Sequence, residues 1–88
     1  MMSNILIREA RTSDLPFICD AFWRSQKQKM SMAEVKHIVC ESKKLLACLK
    51  EDEDTIISFV IYDEKPLFKY TKVAFREMGI NKLLCDKI

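Results

Sequence analysis

Residues 55–62 read TIISFVIY, eight positions dominated by β-branched and aromatic side chains. Apolar residues fall on both odd and even positions, so an extended chain here is apolar on both faces. That is the pattern of a central strand covered on two sides. Such a strand needs paired neighbours and an apolar layer above and below it. Residues 44–50 (KLLACLK) supply a second strand upstream, joined through Glu51-Asp52-Glu53-Asp54. This acidic turn reads as a solvated hairpin loop. It lacks the Gly and the distant Glu of a calcium-binding loop. Downstream of Asp63-Glu64-Lys65-Pro66, residues 67–74 (LFKYTKVA) supply a third hairpin-linked strand.

The outer elements follow by the same reasoning. Ile5, Leu6 and Ile7 form a short first strand ended by Arg8 and Glu9. Thr12 or Ser13 offers an N-cap oxygen, Asp14 favours the positive helix start, and Pro16 is tolerated in a first turn. Leu15, Ile18, Cys19 and Phe22 then recur at helical spacing, which carries a helix to about Ser25 with Trp23 widening its apolar face. Residues 26–30 are a polar connector. Ser31 and Glu34 stand three apart as a capping box, and Val35, Ile38 and Val39 continue a second helix to about Ser42. His37 falls off that apolar stripe and reads as a solvated surface residue. After a turn at 75–79, Ile80, Leu83 and Leu84 begin a last helix over 80–88.

The order β-α-α-β-β-β-α predicts an α/β (α+β) domain with a mostly antiparallel sheet. The first two helices cover one face and the last helix the other. The 88 residues suffice for one domain, 1–88, of modest stability. Apolar residues at 49% and charged residues at 32% argue against disorder. Net charge is +2 with no basic stripe, so nucleic-acid binding is not expected. No apolar run reaches bilayer length and no secretory signal opens the chain, which predicts a cytoplasmic protein without a membrane partner. Cys19, Cys40, Cys48 and Cys85 match no zinc or redox spacing and read as buried or half-buried free thiols. No metal site is expected.

Two segments, in order and at opposite ends, carry a resemblance. Residues 7–16 (IREARTSDLP) are similar to an opening strand and helix entry of the form I-R-x-A-x-x-x-D-L-P, and residues 72–84 (KVAFREMGINKLL) resemble the signature R/Q-x-x-G-x-G/A with the apolar helix start after it. Both patterns resemble those of the GNAT acyltransferase superfamily, and the second segment most resembles its small phage-encoded members. The resemblance implies a GNAT-like fold ending just past the pyrophosphate-binding turn. It implies that Arg76, Glu77, Met78, Gly79, Ile80 and Asn81 form that turn, with Arg76 and Gly79 at the matching positions. Backbone N–H groups there would cradle a pyrophosphate at a helix N-terminus.

Three residues depart from the family pattern. Asn81 replaces a Gly or Ala, Glu77 adds a negative charge, and Ser58 stands where a Gly often follows the start of the third strand. In the family a fifth strand and later elements complete the cleft and supply an acid, and the 88 residues are expected to leave no room for them. The expectation is therefore a non-catalytic protein-binding module, an inhibitor or adaptor of phage origin. Its partner, a protein or a second copy, would meet Phe68, Tyr70, Phe75, Leu83 and Leu84 along the fourth strand and last helix. The alternative is a minimal acetyl-CoA-dependent N-acetyltransferase acting on a protein or small amine, as a dimer. Glu64 and Tyr70 are its available bases. Acetyl-CoA binding is expected to be weak or absent.

Overall fold

The computed structural model describes residues 4–26 and 29–87, with the backbone alone at Val73 and Met78. Four strands, β1 (Ile5–Glu9), β2 (Lys43–Leu49), β3 (Ile56–Tyr62) and β4 (Pro66–Thr71), form one antiparallel sheet in the order β1-β2-β3-β4. Helices α1 (Leu15–Ser25) and α2 (Met32–Glu41) lie between β1 and β2, and α3 (Ile80–Cys85) follows β4.

The two-faced run at 56–62 is the buried centre of the sheet, as its composition requires. On one face Leu46, Cys48, Phe59 and Ile61 pack under Ile18 and Phe22 of α1 and Val35 and Val39 of α2. On the other, Ala47, Ile57 and Val60 pack under Ile80 and Leu84 of α3. The register explains how β3 serves both. Ala47 pairs with Ser58 but Cys48 with Ile56, so Ile57 is an extra residue in a bulge. The bulge turns Ile56 toward α1 and α2 while Ile57 goes to α3. A second irregularity between Ile61 and Tyr62 leaves Leu67 unpaired and 51% exposed.

Several expectations need correction. Neither Thr12 nor Ser13 caps α1; both lie in a 3-10 turn over Thr12–Asp14, and Asp14 stands at the N-cap without a side-chain cap bond. Strand β4 stops at Thr71 instead of running to Ala74, because the chain coils into a 3-10 turn over Val73–Met78. Helix α3 spans six residues, and Ile88 lies outside the described residues. The acidic turn is not merely solvated. The Glu53 main-chain carbonyl accepts from Arg8 Nη2 at 2.8 Å, and its carboxylate pairs with Arg11. Of the capping box the serine half forms, with Ser31 Oγ accepting from the Glu34 amide at 3.2 Å, and His37 is exposed as expected. All four cysteines are free; Cys19 and Cys48 are buried and Cys85 is half-buried, but Cys40 is exposed. No helix among the described residues is long and apolar enough to cross a membrane.

Candidate functional site at the edge of the fourth strand

Strand β4 is an edge strand, and its inner side is firmly held. Ser58 Oγ donates to the Tyr70 carbonyl at 2.6 Å and lies 2.9 Å from Thr71 Oγ1. The hydroxyl at the position where a glycine was expected thus ties the β3 bulge to β4. Phe68 stacks on Phe22 and Tyr70 on Phe59, with centroids 5.0 and 5.3 Å apart. Phe17, 37% exposed, meets the Tyr70 ring edge-on, and the Lys72 ammonium lies 5.9 Å from the Phe17 centroid.

The outer side follows from peptide geometry. The Lys72 N–H donates inward to the Ile57 carbonyl at 2.9 Å. Among the described residues no peptide bond is cis, and a trans peptide sets its carbonyl opposite its N–H, so the Thr71 carbonyl points away from the sheet. Arg76 Nε donates to that outward carbonyl at 3.1 Å. The chain therefore folds back after β4 and caps one acceptor of its own open edge.

Between β4 and α3 lies a cleft of about 540 Å³ lined by Ser25, Phe68, Lys69, Tyr70, Arg76 and Asn81, with Thr71 at its floor. No acidic side chain lines it among the described residues. The Asn81 Oδ1 atom is buried and has no hydrogen-bond partner among the described residues. Gly79 has φ 71° and ψ 18°, the left-handed region that glycine adopts freely, and a Cβ built there would meet nothing within 4 Å. Glycine is thus the residue that takes this turn without strain, and the space beside it is open.

The sequence-derived residues separate accordingly. Arg76 and Asn81 from the turn, and Phe68 and Tyr70 from the strand, meet in one cleft. Glu77 is exposed, while the Met78 side chain lies outside the described residues. Ile80 and Leu84 are fully buried as the anchors of α3, so Leu84 is not a surface residue. Phe75 and Leu83 are half-buried, Phe75 against the α3 side of the sheet. Glu64, exposed in the β3–β4 turn, is not among the cleft residues. The turn read at 75–79 is part of a longer 3-10 segment over Val73–Met78, and α3 after it spans fewer than two turns. No cluster of three or more metal-ligating side chains occurs among the described residues.

Sequence reasoning missed a second cluster, at the other end of the sheet. Arg8 grips the buried Asp14 carboxylate with both terminal guanidinium nitrogens, Nη1 at 2.7 Å and Nη2 at 3.3 Å. The Arg11 amide donates to the same carboxylate at 2.7 Å. Burial pushes the Asp14 carboxyl up, but the Arg8 and Arg11 hydrogen bonds outweigh it and hold the group below its ordinary range. The signal was the spacing of Arg8 and Asp14 in residues 7–16, which carried the resemblance, while Asp14 was read only as favouring the helix start.

No known family model matches the chain, and no curated protein matches it. Solved structures do match. A GCN5-related N-acetyltransferase from Kribbella flavida superposes with TM-score 0.74 at 15% identity, over 99% of this chain and 64% of that one. The fold is that of a GCN5-related N-acetyltransferase. A possible acetyltransferase from Clostridium difficile 630 gives TM-score 0.70 at 19% identity, over 97% of this chain and 68% of that one. A Drosophila protein solved by a structural genomics consortium gives 0.77 at 18%, over 99% of this chain and 29% of that one. The GNAT-like chain thus spans between 29% and 68% of the lengths of the solved chains it matches.

Proposed function

We propose that the chain is the acyl-CoA-binding part of an N-acetyltransferase, with the cleft between β4 and α3 as the cofactor site. One observation carries this reading: Arg76 and Asn81, drawn from the signature-like turn, line an acid-free cleft beside the left-handed Gly79. The residues fit such a group. Arg76 and Lys69 supply positive charge for phosphates, the open space at Gly79 admits a close approach, and the unpartnered Asn81 carbonyl accepts from an amide N–H. When bound, the cofactor supplies an activated thioester. The chain's own part is to bind and orient it along β4, where Phe68 and Tyr70 form an apolar wall. Tyr70 is the only one of the two sequence-derived base candidates in the cleft.

A second reading is favoured by the open β4 edge: a protein-binding module, an inhibitor or adaptor, that takes a partner along the same strand. Isothermal titration with acetyl-CoA and CoA separates the two. Saturable binding that Arg76→Ala weakens supports the cofactor reading. Absence of binding at millimolar acetyl-CoA removes it and leaves the protein-binding reading.

A further inference from the structure

We infer that Ser58, on the strand beside β4, is a positioning residue for the cleft: its hydroxyl fixes the end of β4 to which Arg76 is tied. This rests on the acyl-CoA reading above and names the residue that sets its anion-binding side chain. Ser58 is fully buried and has one hydroxyl hydrogen, with two oxygens in reach. The Tyr70 carbonyl at 2.6 Å can only accept, so that hydrogen goes to it. The 2.9 Å contact with Thr71 Oγ1 must then use the threonine's hydrogen, so Thr71 donates to Ser58. The bonds run one way, from Thr71 to Ser58 to the Tyr70 carbonyl.

The bulge in β3 gives this relay its leverage. Ile57 is the extra residue, and its carbonyl and the Ser58 hydroxyl both meet β4. Ser58 holds the Tyr70 carbonyl and the Thr71 side chain, while the Ile57 carbonyl accepts from the Lys72 N–H at 2.9 Å. The peptide planes on both sides of the Thr71 Cα are thereby fixed, and with them the direction of the Thr71 carbonyl. That carbonyl accepts from Arg76 Nε at 3.1 Å, which orients the guanidinium. Both of its terminal nitrogens are left without a hydrogen bond among the described residues. Two hydroxyls of the cleft cannot donate to a phosphate: the Thr71 hydrogen goes to Ser58, and the Ser25 hydrogen to the Phe22 carbonyl at 2.6 Å. An anion there is left chiefly to Lys69 and the Arg76 fork, and a fork already oriented loses less freedom on binding.

The test follows the Arg76 Nε–H signal of the ¹⁵N-labelled chain and titrates acetyl-CoA in parallel. Ser58→Ala removes both hydroxyl bonds, Thr71→Val removes one while keeping the side-chain shape, and Thr71→Ser keeps the hydroxyl. The first two are expected to shift the Nε–H signal in the free chain and to speed its exchange with water. Acetyl-CoA affinity falls by roughly three- to tenfold in both, and Thr71→Ser keeps signal and affinity at the parent values. Val39→Ala, a core truncation on the α1–α2 face, weakens the fold without moving either. If Ser58→Ala does not fold, the two Thr71 variants carry the comparison. An unmoved Nε–H signal, parent-like affinity in Ser58→Ala and Thr71→Val, or an equal affinity loss in Val39→Ala overturns the inference and spares the acyl-CoA reading. Failure of the parent chain to bind millimolar acetyl-CoA removes that reading and this inference with it. The two failures are told apart by whether the parent or only the variants lose the ligand.

Discussion

Two arginines sit at opposite edges of the same sheet and are used in opposite ways. Arg8 on β1 is 11% exposed, holds Asp14 with two nitrogens, and reaches the Glu53 carbonyl across the β2–β3 turn. One side chain therefore ties β1, the entry to α1 and the acidic turn together. Arg76 beyond β4 is exposed and makes one hydrogen bond, to a carbonyl that water could serve as well. Ion pairs withdrawn from water are expensive to break singly, whereas exposed contacts cost little. The difference marks the first arginine as architecture and the second as free for a ligand.

The largest effect that can test this contrast is at Asp14. Asp14→Ala leaves the Arg8 charge buried without its partner and is expected to cost about 3–5 kcal/mol. Arg76→Ala is expected to stay within about 0.5 kcal/mol. Urea unfolding of both variants measures the two; equal losses would erase the distinction. If Asp14→Ala fails to fold, Asp14→Asn, which keeps the shape and some hydrogen bonding, takes its place. The pair also sets a pH dependence. The folded Asp14 carboxyl titrates below its unfolded value of about 3.9, so the unfolded chain binds the extra proton. Its contribution is fully present above that unfolded value and is lost as pH falls through the folded one. Asp14→Asn should therefore lose less stability than the parent between neutral pH and the acid limb. A parallel acid profile would show that other carboxylates carry it.

A smaller effect is expected at the second anchor of the β4 side. Helix α3 is too short to hold itself by backbone bonds alone and is held by Ile80 and Leu84 against β3. Leu84→Ala should cost about 2–4 kcal/mol through lost burial and the cavity left behind. The site should suffer with it, since Asn81 rides on the same helix. Amide hydrogen exchange over residues 80–85 checks this: loss of protection there, with α1 and α2 unchanged, is the expected pattern. Uniform loss would mean that α3 and the rest unfold as one unit.

The fold was legible where physics is local. Two-faced apolarity at residues 56–62, helical spacing in α1 and α2, and the Ser31 cap each arise within a few residues, and the structure contains all three. What escaped depends on distance. Glu53 looked like one more solvated acid because its partners Arg8 and Arg11 lie more than forty positions away. Leu84 looked available because nothing nearby in sequence says that Ala47 and Ile57 wait beneath it. The bulge at Ile57 was invisible for the same reason, since a register shift belongs to a pair of strands. Of the candidate site, the resemblance supplied Arg76 and Asn81 and apolarity supplied Phe68 and Tyr70. That they share one cleft with Lys69 and Ser25 required the fold.

The smallest expected effect is also the one that best separates geometry from ligand contact. Gly79 stands at φ 71°, where a Cβ costs roughly 1–2 kcal/mol of backbone strain, and no atom lies within 4 Å of the built Cβ. Gly79→Ala should therefore destabilise by about 1 kcal/mol, while Gly79→Asn, which tolerates the left-handed region, should cost less. Packing cannot enter the comparison, because the space is empty in the free chain. Acetyl-CoA titration of Gly79→Asn then reads the open space directly. If a phosphate approaches this backbone, the Asn side chain blocks it, and affinity falls although stability hardly changes. If affinity is untouched while Arg76→Ala still lowers it, the glycine serves the turn alone and the anion is held by side chains of the cleft.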